Sequence, residues 1–473
     1  MKLFALFFLI ILNQSIFSQR NILQFKSRID SVLADSFFDT TQIAVDIFDL
    51  TLKENLYNKN EKFLMRPASN MKILTTSAAL VYLGPSYNFN TKLCYTGEIK
   101  KGVLSGDLYI VGGCDPLFSI KDLDSLAVVL KTAGINEVKG NLVGDVSMMD
   151  SLSRGKGWMW DDDDADLTPL NINENSIGVL VKPGIVGEKA SVQLIPETNF
   201  VEINNYSITV PADSPNVFTL NKDCLHHKNI LTLTGKVSAK AVVDSLQDTL
   251  HISVYKPQLF FLSLLKATLK RSGINISGRQ YIADTPTNYN ELFVYKRPII
   301  DMINYINKES YNLGAEMTLR ALAYKYFGKP ATSENGIKMI DSLIAAAGLN
   351  PNAFRLVDGS GISHYNLVSA QLILEVLKYM YFQKTNLYEA LYESFPVSGI
   401  DGTLSYRMKN GSAYKKVHAK TGTLSGVSCL SGYVTSDNRH LLAFSILLQN
   451  FSGSSREGRD YEDKICNIMA EYK

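Results

Sequence analysis

Lys420-Thr421-Gly422-Thr423 lies near the C-terminus, between polar turn residues and an apolar strand pattern. Upstream stand Ser310-Tyr311-Asn312 and Ser69-Asn70-Met71-Lys72, so that S-x-x-K, S-x-N and K-T-G follow one another in the chain. Together they supply a serine nucleophile, a lysine base and a cationic clamp for a carboxylate. That combination points to acyl transfer on a peptide-like substrate.

Each part has a physical reason. Ser69 to Leu83 reads as a helix closed by the stop signal Gly84-Pro85. Ser69 and Lys72, three apart at its start, share one face with Cβ atoms roughly 5–6 Å apart. A serine hydroxyl needs a base, and a neutral lysine amine serves. A helix N-terminus also favours negative charge developing beside it. At the other end, Lys420 can hold a carboxylate, with hydroxyls from Thr421 and Thr423. Gly422 lets the backbone approach a ligand. A second cation near Lys72 favours its neutral form. The backbone N–H groups of Ser69 and Thr423 can form an oxyanion hole. Competing matches fail on context. Ser412-Ala413-Tyr414-Lys415 sits in a polar Gly/Ser stretch with no helix start. Ser436-Asp437-Asn438 follows K-T-G and lies in a hairpin turn, where Asp and Asn are ordinary turn residues. Ser310-Tyr311-Asn312 has the right order and leads into the helix that continues Leu313-Gly314-Ala315-Glu316.

The bulk properties exclude several classes. A chain of 473 residues exceeds one simple core and predicts two or more domains. A formal net charge of +2 gives no basis for nucleic-acid binding. Lys2 followed by the apolar run Leu3 to Leu12 reads as a signal peptide, too short to span a bilayer, with cleavage expected after Ser18. No later run reaches membrane-spanning length, so the mature chain is expected to be exported, periplasmic and without a transmembrane anchor. Five scattered cysteines with no C-x-x-C pair give no zinc signature, and no metal or cofactor is expected.

The texture along the chain suggests an α+β protein with a large β-rich insertion. Gln42 to Leu50 and Lys53 to Tyr57 read as a strand pair before the Ser69 helix. From Asn88 to Thr287 short strand patterns dominate, broken by Gly, Asn, Asp and Pro, with a helix over Pro257 to Ser272. Helical spacing returns after Leu292, notably at Asn312 to Tyr326, Glu334 to Ala347 and Ser369 to Tyr381. The strands Ser428 to Thr435 and His440 to Leu448 and a final helix, Arg456 to Glu471, complete the chain. Ser69 and Ser310 stand 241 positions apart, more chain than two partners in one cleft require. The reading is therefore a discontinuous catalytic domain, 19–87 and 288–473, interrupted by an inserted region, 88–287, of two nested domains.

Beyond the three motifs, Gly106-Asp107-Leu108-Tyr109 with Gly112-Gly113, Asp115-Pro116, Gly157-Trp158, Asp358-Gly359-Ser360-Gly361-Ile362-Ser363 and Gly399-Ile400-Asp401-Gly402-Thr403-Leu404 extend the pattern. On these segments the chain resembles the low-molecular-mass class C penicillin-binding proteins, which are exported D-alanyl-D-alanine carboxypeptidases and endopeptidases. The resemblance covers nearly all of the mature chain. It implies a β-lactamase/transpeptidase-like catalytic domain, an antiparallel sheet flanked by helices. It implies cleavage of the terminal D-Ala-D-Ala bond of peptidoglycan stem peptides and of cross-links, with β-lactams as covalent inhibitors. Ser69 would carry the acyl group and Lys72 would take its proton. Ser310 would relay a proton to the leaving amine, and Asn312 would hold a substrate amide. Lys420, Thr421, Gly422 and Thr423 would bind the terminal carboxylate. In the family an aspartate of the insertion meets the free amine of the stem's diamino acid. Asp145 resembles that position, with the acidic run Asp161 to Asp164 as competitor or as a solvated loop. After Gly361-Ile362-Ser363 the family often has arginine where this chain has His364. Two alternatives use the same motifs: a β-lactamase, for which the chain is long, and a non-catalytic peptidoglycan-binding protein, against which the intact motif residues argue.

Overall fold

The computed structural model describes residues 21–159, 164–241 and 249–473. The expected signal peptide and Asp161 to Asp163 lie outside the described residues. Five antiparallel strands build the sheet that carries the site: Gln42–Asp49 (β1), Glu54–Lys59 (β2), Val417–Leu424 (β3), Val427–Thr435 (β4) and Leu441–Gln449 (β5). Their spatial order is β3-β4-β5-β1-β2. β1 pairs with β5 in the register Ile43↔Leu448 and Ile47↔Phe444, so the first and last strands of the chain lie side by side.

Both faces of this sheet are covered, which explains why β5 is apolar almost throughout rather than alternating. On one face Val45, Ile47, Leu430 and Phe444 pack under the helices over residues 21–33 and Ser455–Ala470, through Phe25, Ile29, Ile465 and Met469. On the other, Ala44, Cys429, Tyr433 and Leu447 meet the helical body. That body includes Met71–Ala78, Ile299–Lys308, Asn312–Phe327, Ser333–Ala346 and Ala370–Gln383. The Asn312–Phe327 helix is buried from Leu313 to Ala323, so it runs through the core rather than along its surface.

Between the Ser69 helix and Ile299 the chain makes its long excursion. A mixed sheet orders Gln280–Ile282, Leu142–Asp145, Leu108–Val111, Asn88–Tyr95 and Asn290–Pro298. Two three-stranded sheets drawn from Ser176–Ser253 sit, in sequence, inside the parallel pair Leu142–Asp145 and Gln280–Ile282. Helices Ile120–Thr132 and Pro257–Arg271 cover this region with Leu123, Leu126, Phe260 and Leu264. The first of them has a start signal that the strand reading passed over: Asp122 accepts from the backbone N–H of Ser119, a Ser-x-x-Asp cap.

The excursion returns to the catalytic body. Trp158 Nε1 donates to Asp358 Oδ2 at 3.0 Å, Ser363 Oγ donates to the Lys156 carbonyl at 2.8 Å, and Tyr311 donates through its hydroxyl to the Pro116 carbonyl at 3.1 Å.

Candidate active site

The turn that carries Ser69 is set by backbone geometry. Ala68–Asn70 form a 3-10 turn immediately before the Met71–Ala78 α-helix, so the α-helix begins two residues after Ser69. Ala68 has φ +45°, a left-handed conformation that costs an L-residue about 1–3 kcal/mol and marks a turn held by its surroundings. Two glycines hold it. A Cβ on Gly361, itself at φ +87°, would lie 1.8 Å from the Ala68 carbonyl oxygen. A Cβ on Gly422 would lie 3.1 Å from the Ser69 nitrogen. β3 therefore runs directly against the turn, and K-T-G is part of an edge strand rather than the approach to one.

Lys72 is fully buried and its amine donates to three acceptors: Ser69 Oγ at 2.9 Å, Asn312 Oδ1 at 2.7 Å and the Ser360 carbonyl at 2.7 Å. Burial pushes its pKa down to about 8, against the opposing pull of Asp358, Glu316 and Asp164. An amine at that value is about one-quarter neutral at pH 7.5, against about one in a thousand at an ordinary 10.5. The geometry thus places a usable base on the serine hydroxyl.

Ser310 stands at φ +58° between the Ile299–Lys308 and Asn312–Phe327 helices. Its Oγ accepts from Lys420 Nζ at 2.9 Å, and the same amine donates to the Thr421 carbonyl at 2.8 Å. Burial, then the neighbouring Lys72 charge, holds Lys420 well below its ordinary value. Thr421 Oγ1 donates to Thr403 Oγ1 at 2.8 Å. The loop carrying Thr403 is latched by Asp401, which accepts from Lys308 Nζ at 2.7 Å. Thus Ser69, Lys72, Ser310, Asn312, Lys420 and Gly422 come together from three separated stretches of chain.

A cavity of about 490 Å³ opens over Ser69, lined also by Asn312, Thr423, Ile362, His364 and Asp164. Asp164 is the only carboxylate among its described lining residues, and its Oδ1 accepts from Asn312 Nδ2 at 2.9 Å. Asp145 is not brought here. It ends the strand Leu142–Asp145 in a different cavity of about 430 Å³, beside Lys92 and Tyr289. Its carboxylate already accepts from the backbone N–H groups of Ser147 and Thr285 at 2.9 and 2.8 Å. Asp145, the substrate-binding position expected from the resemblance, thus does not line the cavity over Ser69. The competing acidic run supplies Asp164 to this cavity. At the other rim Arg66 Nη1 lies 3.3 Å from His364 Nδ1, so a guanidinium stands beside the histidine. Arg66, Thr403, Asp358 and Glu316 were given no role by the motif reading. For Asp358 and Thr403 the available signal was their place in the two glycine-rich segments.

The likeness to known proteins runs along nearly the whole chain. The family model described as D-Ala-D-Ala carboxypeptidase 3 (S13) matches residues 25–472. The chain belongs to that family. The D-alanyl-D-alanine carboxypeptidase of Actinomadura sp. (strain R39) is 28% identical over 475 residues, covering 96% of this chain and 86% of that protein. The crystal structure of penicillin binding protein 4 (dacB) from Haemophilus influenzae superposes with a TM-score of 0.80 at 25% identity, covering 94% of this chain and 99% of the other. A structure of that protein complexed with a novel β-lactam covers 93% of this chain and 97% of its own, with a TM-score of 0.73 at 24% identity. This S13 chain is thus a serine-type D-Ala-D-Ala carboxypeptidase with the α+β fold of penicillin-binding proteins. No helix among the described residues is long and apolar enough to cross a membrane.

Proposed function

We propose that this S13 carboxypeptidase is exported and acts on peptidoglycan stem peptides and their cross-links through an acyl-enzyme on Ser69. The observation that carries the reading is the Lys72 amine, fully buried and 2.9 Å from Ser69 Oγ. In its neutral form Lys72 takes the Ser69 proton as Oγ attacks the penultimate D-Ala carbonyl. The Ser69 and Thr423 N–H groups hold the developing oxyanion. Lys420 and the threonine hydroxyls bind the terminal carboxylate. The Lys420–Ser310 contact returns a proton to the leaving D-alanine amine as the peptide C–N bond breaks. Water then attacks the ester, and the stem peptide leaves with a new carboxylate while Ser69 regains its proton.

A β-lactam presents a strained amide to the same serine, and its ring-opened acyl group stays attached, so slow release inhibits the enzyme. Asp164 takes the role first expected of Asp145, facing a substrate ammonium. The Arg66–His364 pair provides positive charge at the opposite rim, where the resemblance led to an expectation of arginine. A discontinuous catalytic domain with a large insertion is supported by the joining of β1 to β5 and by the nested sheets, with the return near Ile299 rather than 288 because Asn290–Pro298 pairs with Asn88–Tyr95.

The test is labelling of the mature protein with a fluorescent penicillin, beside Ser69→Ala, followed by release of D-alanine from a stem pentapeptide and cleavage of a cross-linked dimer. Serine-dependent labelling with both releases is expected. A wild type that takes no label overturns the acyl-enzyme reading.

A further inference from the structure

The Asn312–Phe327 helix carries Asn312, Glu316 and Arg320 at successive i, i+4 positions, so the three lie on one face. Asn312 touches Lys72 directly. Glu316, one turn further in, is fully buried and touches no reacting atom. Its Oε1 accepts from the backbone N–H of Gly359 at 2.9 Å and of Ser360 at 2.8 Å. The carbonyl of Ser360 in turn accepts from Lys72 Nζ at 2.7 Å, and the carbonyl of Gly359 accepts from Thr75 Oγ1, one turn after the lysine, at 2.7 Å. Gly359 and Ser360 are thus held by the carboxylate through their N–H groups, and the Ser360 carbonyl holds the catalytic amine. A Cβ on Gly359 would lie 3.0 Å from the Ala315 carbonyl oxygen, so this segment sits on the helix with little room to shift.

We propose that Glu316 is a positioning residue for acylation: through the Gly359–Ser360 peptide it fixes the acceptor that aims Lys72 at Ser69, and its charge stabilises the ammonium formed when Lys72 takes the serine proton. A buried carboxylate kept only to satisfy two N–H groups is an expensive choice, since an uncharged amide would do the same. No ion pair within 4 Å neutralises it among the described residues, and its Oε2, with Arg320 Nε and Nη1, has no protein partner there. The charged groups around Lys72 are Glu316 and Asp164, Asp358 beneath the glycine segment, and Lys420 from β3. Those around Glu316 are Asp358 and Arg320. Removing the Glu316 charge therefore takes away one of three anions that favour protonated Lys72.

The inference rests on the acyl-enzyme reading above. The experiment is the second-order rate of labelling by a fluorescent penicillin, and kcat and KM for D-alanine release, across pH 6 to 10. Glu316→Gln keeps the acceptor and the shape. It is expected to keep the plateau rate within about threefold while its acid limb moves to lower pH by about half a unit or more. Glu316→Ala loses the acceptor as well, and its plateau kcat is expected to fall about tenfold or more with KM little changed. A labelled wild type with an unmoved limb in Glu316→Gln overturns the role of Glu316, and that variant decides alone if Glu316→Ala does not fold. A wild type unlabelled at Ser69 overturns the acyl-enzyme reading and this inference with it.

Discussion

The burial of Lys72 makes a quantitative statement about pH. Raising pH from 6 to 8 takes an amine with a pKa of about 8 from about 1% to about half neutral. The rate of acylation should rise close to tenfold per pH unit at first and level off above 8. An exposed lysine would carry the same slope on to about 10.5. Titration of Glu316, pushed up to about 7 chiefly by burial, removes a neighbouring anion as pH falls and so flattens the lowest part of the limb. Lys420, which burial holds well below its ordinary value, also loses its proton as pH rises, and with it the grip on the substrate carboxylate. That loss belongs in KM rather than in kcat. Lys72→Arg, a permanent cation of similar reach, should lose acylation by about a thousandfold or more at every pH. The assay is stopped-flow labelling with a fluorescent penicillin, with Ser69→Ala as the blank and circular dichroism at each pH to exclude unfolding. A rate that is flat from pH 6 to 9, or that still climbs tenfold per unit beyond pH 9.5, would refute the reasoning that burial turns this lysine into the base.

Three further outcomes follow from the same geometry. Asp164→Asn should raise KM about tenfold for a stem peptide with a free side-chain amine and leave its N-acetylated analogue unaffected, whereas Asp145→Asn should change neither; equal effects of the two variants would put Asp145 back in contention. Gly361→Ala forces a Cβ against the Ala68 carbonyl at φ +87° and should cost about 1–3 kcal/mol of stability, with a loss of labelling larger than that predicts; a normal labelling rate would show that the nucleophile's turn does not depend on this contact. Asp46, buried in β1 with Asn55 as its side-chain partner, is pushed up to about 7 by burial. Its folded value lies above its unfolded 3.8, so the stability it lends is present below about pH 4 and lost as pH rises through 7. Asp46→Asn should then stabilise the protein by about 1–3 kcal/mol at pH 8 and hardly at all at pH 4, read from urea midpoints; a gain of the same size at both would refute the assignment.

Much of the site was legible because its chemistry is local. Ser69 and Lys72 share a helical face by spacing alone, and Ser310-Tyr311-Asn312 could be separated from its competitors by the helix that follows it. The strands β1 and β5 were readable too, since an unbroken apolar run bounded by turns is what a strand covered on both faces requires. β3 was harder. His418, Lys420, Thr421, Gly422 and Thr423 have no apolar alternation, and their strand geometry comes from the register with β4, Lys420↔Ser431 and Gly422↔Cys429, which no local pattern encodes. The choice between Asp145 and Asp164 was likewise non-local. Asp145 ends a strand, and an acidic run resembles a solvated loop. Which of them lines the cavity over Ser69 depends on where distant segments meet, as Trp158 meets a carboxylate 200 positions away.

Two of the residues that escaped the reading, Glu316 and Asp358, share a physical character with the motif lysines. Lys72, Lys420, Glu316 and Asp358 are all fully buried ionisable groups, and Arg320 is nearly so. Hydrophobic periodicity assigns such residues to the solvent side, so the Asn312–Phe327 helix shows almost no amphipathic stripe although it crosses the core. A carboxylate or ammonium placed there lowers stability unless the fold surrounds it with partners. Here the partners are found: Asp358 accepts from Gly361 and Ser363 N–H and from Trp158, Glu316 from Gly359 and Ser360, and Lys72 has its three acceptors. The network binds one loop, two helices and the insertion to a single peptide segment, Asp358–Ser363. That is why an insertion remote in sequence can complete the cavity. It is also why the segment carries Gly361, where a Cβ would lie 1.8 Å from the Ala68 carbonyl oxygen, and Gly359, where it would be tight against Ala315.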